Sequence, residues 1–150
     1  MTERSIAHGT FTVTRSYPAK PARVFKAWSN PEFKRKWFGS PDPAKPDNVF
    51  EFKVGGREYN AAKMGNDTYT FDVRYQDIIP DERIIYTYEM TINGQRMSVS
   101  LATVEIEAEG AGTKMTVVEH GAFLDGLDTV RQREEGTNFL MDALGKSLEE

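Results

Sequence analysis

Glu119 is the residue of this chain whose neighbours best fit it for chemistry. It sits in the run MTVVEHG, where Met115, Val117 and Glu119 would share one face of a strand while Thr116, Val118 and His120 share the other. A carboxyl group on an inward face beside apolar rings holds its proton to higher pH than a solvated one, so it could serve as a general acid or base. The same pattern also fits a strand carboxylate with a purely structural partner. One strand cannot turn Glu119 and His120 into the same space unless it bulges, which counts against a Glu-His dyad. Arg57, just after Gly55-Gly56, could orient a carbonyl if it pointed inward, and would be solvated if it belonged to the hairpin surface. The catalytic candidates are therefore Glu119 and Arg57.

Other chemistries find little support. Histidine occurs only as His8 and His120, and cysteine is absent, which excludes thiolate nucleophiles, disulfides and multi-histidine metal sites within one chain. Two histidines so placed suggest no Ser-His-Asp arrangement. Asp125 and Asp128 read as loop and N-cap residues before the last helix rather than as metal ligands. Gly110-Ala111-Gly112 lacks the strand-to-helix setting of a dinucleotide loop. No metal and no cofactor are expected.

A second chemistry needs no catalyst. Trp37, Phe38, Tyr59, Phe71, Tyr86, Tyr88, Met90, Met97 and Phe139, with Arg57 and Glu119 as polar members, could line an apolar pocket for a small molecule. The alternative is that the rings are ordinary core. The tyrosines favour a cavity, since each buried phenol requires a hydrogen-bond partner and phenylalanine would fill a core without that demand.

The elements that must carry these residues follow from periodicity. Phe11, Val13 and Tyr17 alternate with polar residues as in a half-buried strand, interrupted by Arg15. Pro21 suits the first turn of a helix in which Val24, Phe25 and Trp28 share a packed face. Asn30-Pro31-Glu32 restarts a second short helix, with Asn30 as N-cap, and Lys34, Arg35 and Lys36 form its solvated side. Residues 40–48, with three prolines, read as a loop. Phe50, Phe52 and Val54 alternate up to the Gly55-Gly56 hairpin, and the chain returns through Arg57, Tyr59, Ala61 and Lys63. Strands carrying Tyr69, Phe71, Val73, Tyr75 and Ile84, Tyr86, Tyr88, Met90 follow, and Asn93-Gly94 is a strong hairpin signal. In the next strand Met97, Val99 and Leu101 give way to Val104 and Ile106, a change of phase that one bulged residue after Ala102-Thr103 would produce. A helix over about 128–148 ends the chain, with Phe139, Leu140, Ala143, Leu144 and Leu148 on its apolar stripe and Gly136 marking a close approach or a bend.

This order predicts an α+β helix-grip fold: a curved antiparallel sheet of six or seven strands wrapped round a long C-terminal helix, closed by two short helices. The 150 residues fit one domain, and no repeat or linker divides them. A formal charge of −4 argues against nucleic-acid or anionic-membrane partners. No signal-peptide core or spanning apolar run occurs, and the lack of cysteine fits a reducing compartment, so the cytoplasm is expected.

The segments RSYPAKPARVFKAWSNPEFKRKWF, FEFKVGGREY, YQDIIPDERIIYTYEM, GTKMTVVEHGAFLDG and REEGTNFLMDALGKSL resemble, in order, the activator-of-chaperone-ATPase homologue family within the polyketide cyclase, or START-like, superfamily. The resemblance covers about Thr10 to Leu148 and implies the helix-grip fold with a largely apolar cavity and no universal catalytic set. One departure stands out: many such relatives carry tryptophan after the glycine that corresponds to Gly136, where this chain has Thr137. That change would open or repolarise one wall of the cavity.

Three functions are then expected in descending order. The first is binding of a small hydrophobic or aromatic ligand between sheet and helix. The second is a cyclase, dehydratase or hydrolase reaction with Glu119 as acid or base. The third, from the resemblance alone, is a chaperone partnership, disfavoured because the relatives named for it carry an additional N-terminal domain. An exposed edge strand or the polar half of the last helix could support a homodimer.

Overall fold

The computed structural model describes residues 3–42, 45 and 47–149. The elements run β1 (Ile6–Tyr17), α1 (Pro21–Ser29), α2 (Pro31–Phe38), β2 (Val49–Phe50), β3 (Arg57–Met64), β4 (Asp67–Ile79), β5 (Arg83–Ile92), β6 (Gln95–Glu109), β7 (Gly112–Leu124) and α3 (Val130–Ser147). All seven strands form one antiparallel sheet in the order β1-β7-β6-β5-β4-β3-β2. The sheet curves round α3, the expected α+β helix-grip architecture. Pro43 and Pro46 of the expected loop lie outside the described residues. No helix among the described residues is long and apolar enough to cross a membrane.

The short helices form where their signals lie. Pro21 opens α1, and Val24, Ala27 and Trp28 are its buried face. Asn30 caps α2 by accepting hydrogen bonds from the backbone N–H groups of Glu32 and Phe33. Trp37 is fixed by its indole N–H, which donates to the Ala27 carbonyl at 2.9 Å, and it meets Trp28 edge to face at 4.9 Å.

Long β1 holds α3 against the sheet. The Tyr17 hydroxyl donates to the Met141 carbonyl at 2.7 Å, and Arg15 bonds Asp142 and Asn138. Two glycines permit this closeness: a Cβ on Gly9 would meet Val130 at 2.5 Å, and one on Gly145 would meet the Tyr17 ring at 2.9 Å. The inward side of α3 is Met141 and Leu144, both buried, with Leu140 packed against the same core. The helix starts later than expected, with Thr129 rather than Asp128 as its cap, accepting from the Gln132 N–H.

Three inward faces differ from the sequence reading. In β6 the irregularity lies between the pairs Met90↔Ser98 and Thr91↔Arg96, so the extra residue is Met97 and not one near Ala102-Thr103. The slip turns Ser98, Ser100, Ala102, Val104 and Ile106 inward and leaves Val99 and Leu101 43% and 40% exposed. In β3 the buried parity is that of Glu58, so Arg57 and Tyr59 face outward; β2 is also shorter than expected, ending at Phe50. Small residues on β6 have a physical reason, since the Phe123 ring lies over Gly121 beside Ser100 and occupies the volume that larger side chains would need.

Candidate functional site

Between the concave face of the sheet and α3 lies a cavity of about 860 Å³. Trp28, Trp37 and Phe38 reach it from the short helices, Phe71, Tyr86, Tyr88 and Met90 from β4 and β5, and Met97, Val117 and Glu119 from β6 and β7. The fourth wall is α3, through Gln132, Arg133, Gly136, Thr137, Leu140 and Met141. Strand alternation explains the set: Tyr75, Tyr86, Ala102 and Glu119 stand on one rung of the ladder, and Glu58, Val73, Tyr88 and Ser100 on the next, so all point to one face.

Of the residues expected in the site, Trp37, Phe38, Phe71, Tyr86, Tyr88, Met90, Met97 and Glu119 line this space. Three do not. Arg57 pairs with Asp72 through two 2.9 Å bonds on the outer face, where the Asp72 hydrogen bond holds its pKa above the usual value. Tyr59 lies beside it, its ring 4.8 Å beneath the guanidinium. Both follow the β3 parity set by the buried Glu58. Phe139 is 73% exposed, because the inward stripe of α3 passes through Leu140 and Met141, one residue round the helix.

Glu119 is 3% exposed and accepts a 2.8 Å hydrogen bond from the Tyr88 hydroxyl. Burial raises its pKa above the ordinary carboxyl value, opposed by the Tyr88 bond and the Arg133 charge. The Tyr88 phenol is also pushed up, first by burial. Arg133 donates to the Tyr88 oxygen at 3.0 Å, reaches Ser98 and Met90, and is ion-paired with Asp128. Burial works against the Arg133 charge, yet Tyr88, Asp128 and Glu119 together hold its pKa above the usual value. The result is a chain of contacts from Asp128 through Arg133 and Tyr88 to Glu119 at one end of an otherwise aromatic cavity.

Arg133 falls in the first half of the last helix, which the sequence pattern presents as polar, and is not among the residues expected in the site. The signal was present in the spacing, for Arg133, Thr137, Leu140 and Leu144 continue one stripe at intervals of four, three and four. Lys34, expected on the solvated side of α2, is 4% exposed. It shares a face of α2 with Trp37 and Phe38 at the same spacings, and its ammonium reaches Glu58 at 2.5 Å and the Tyr75 oxygen at 3.4 Å. Tyr75 in turn donates to the same Glu58 oxygen at 2.5 Å, and its pKa is raised by burial and then by Glu58. Asp128 is not an N-cap but the Arg133 counter-ion, and Asp125 accepts from the Ser5 N–H and Arg4. Gly136 marks no close approach: an added Cβ there meets nothing within 4 Å.

Residues 18–149 match the family model described as "Activator of Hsp90 ATPase homolog 1-like protein". The chain belongs to this family. Among solved structures, this family member is 43% identical to the Mll3558 protein of Rhizobium loti, with a TM-score of 0.88 over 95% of this chain and 99% of that one. It is 42% identical to a protein of Rhizobium leguminosarum, with a TM-score of 0.90 and 99% of each chain covered. CalU16 from Micromonospora echinospora shares the fold at 19% identity, with a TM-score of 0.63 over 99% of this chain and 86% of that one. No protein of curated function matches this family member significantly.

Proposed function

We propose that the protein binds a small apolar or aromatic molecule between its sheet and α3. The observation that carries this reading is the cavity: about 860 Å³ lies within the roughly 300–1,000 Å³ of ligand pockets, and its walls are rings and methionines with few polar groups. Gly136 and Thr137 add little side-chain bulk to the α3 wall of this space. The absence of cysteine supports a cytoplasmic setting.

Thermal-shift and calorimetric titration against lipids and aromatic metabolites tests the proposal. A ligand present at a hundred times its Kd adds about 2.7 kcal/mol to stability, which raises Tm by several degrees. A library without a single binder would overturn the reading.

A second reading rests on Glu119, a buried carboxyl group that faces the cavity and holds its proton unusually firmly. Such a group can donate or accept a proton at a bound carbonyl. Loss of turnover with unchanged affinity in Glu119→Gln supports that role, and an unaffected rate removes it. Chaperone activation, which the family description names, is not assigned by fold likeness alone. A pull-down with the chaperone decides it.

A further inference from the structure

The cations that reach the cavity are already committed. Lys34 is 2.5 Å from Glu58, and Arg133 is paired with Asp128 and leans on Tyr88, which serves Glu119. The remaining carboxyl group within is Glu119 itself, and at the rim Glu135 is held by Arg131. A ligand carboxylate entering this space would meet no free positive charge among the described residues and would approach a buried carboxyl group.

An uncommitted hydrogen-bonding group that faces this space is present nonetheless, and it is neutral. The Tyr86 hydroxyl makes no hydrogen bond among the described residues, and its ring stands between Tyr75 and Tyr88 at 6.0 and 5.8 Å. It shares a rung with Glu119, so it faces the interior beside the polar chain.

We infer that the cavity selects ligands with an apolar aromatic body and a neutral polar group, a carbonyl, amide or hydroxyl, bonded by Tyr86, and rejects the corresponding carboxylates. This rests on the ligand-binding reading above and narrows it.

Four probes with one body separate the possibilities: biphenyl, 4-acetylbiphenyl, biphenyl-4-carboxylate and 4-(aminomethyl)biphenyl, titrated calorimetrically at pH 7.5. The ketone should bind at least about tenfold more tightly than the carboxylate, since burying an unpaired charge costs far more than burying a hydrogen-bonded carbonyl. Tyr86→Phe should lower the ratio of ketone to biphenyl affinity by about five- to tenfold, the effect of one neutral hydrogen bond. The unfolding midpoint establishes that the variant is folded. Carboxylate or amine binding equal to or tighter than the ketone would overturn the inference while leaving the cavity reading intact. Failure of biphenyl and all three derivatives to bind would overturn the cavity reading and this inference with it.

Discussion

Lys34 and Glu58 form the most exposed test of the structure, although they are among its least exposed residues. Their side chains are 5% and 1% accessible, and the ammonium and carboxylate lie 2.5 Å apart with Tyr75 on the same carboxylate oxygen. Removing one partner leaves the other charge buried without its counter-ion, a loss of about 3–5 kcal/mol in such settings. Lys34→Met keeps the volume and apolar stem, so the expected loss isolates the charge. Glu58→Gln keeps an acceptor for Tyr75 and strands the ammonium between the Phe38 and Phe50 rings, each 5.1 Å away. The double variant has no charge left to strand, so it should be more stable than either single one, with a coupling of about 2 kcal/mol or more. Urea unfolding followed by tryptophan fluorescence measures all four proteins. With m near 2 kcal/mol/M, each single variant should lower the midpoint by roughly 2 M. Additive losses, or single losses below about 1 kcal/mol, would refute the buried pair.

Glu119→Gln gives a pH-dependent result. The folded carboxyl has a raised pKa, so its favourable contribution is complete below the unfolded value near 4.5 and is lost as pH rises through the folded value. Relative to the native protein, the glutamine variant should therefore gain stability as pH rises above about 4.5; a flat difference between pH 4 and pH 8 would contradict the burial of Glu119. Gly136→Ala should stabilise by about 0.4–1 kcal/mol, since the methyl group meets nothing within 4 Å and helix propensity favours alanine; a lower Tm would show that the space is not there. Phe139→Ser should change stability by no more than about 0.5 kcal/mol, whereas Met141→Ala should cost about 2–5 kcal/mol, and the reverse order in chemical denaturation would place the helix the other way round.

Where alternation and punctuation agree, the sequence is sufficient to place a strand. Asn93-Gly94 sets the β5–β6 turn with both residues at positive φ, and Met115, Val117 and Glu119 keep the inward face of β7. The reading fails where an inward face is not apolar. β3 turns Glu58 and Asn60 inward, and a pattern of two cannot distinguish that phase from its opposite when Tyr59 and Ala61 are the more hydrophobic candidates. β6 turns serines inward and Val99 and Leu101 outward, since the bulge at Met97 obeys pairing with β5 and the bulk of Phe123, neither of which is local. Lys34 and Arg133 escape for a related reason: a buried cation is recognised by its counter-ion, and Glu58 and Asp128 are brought to them only by the fold. Helical spacing alone already put both on inward stripes.

Four positions that escape the sequence reading share a location. Lys34, Asn60, Gly136 and Arg133 all line the same cavity. A sequence optimised only for stability would place a larger apolar residue at Gly136, satisfy or remove the Asn60 amide, and replace Tyr86 with phenylalanine. Each departure costs a fraction of a kcal/mol to a few kcal/mol in a domain whose whole margin is about 5–15 kcal/mol. Lys34, Asn60, Tyr86 and Arg133 meet round one space of about 860 Å³ between the sheet and α3, and that meeting is the argument for the proposed binding site over an imperfectly filled core.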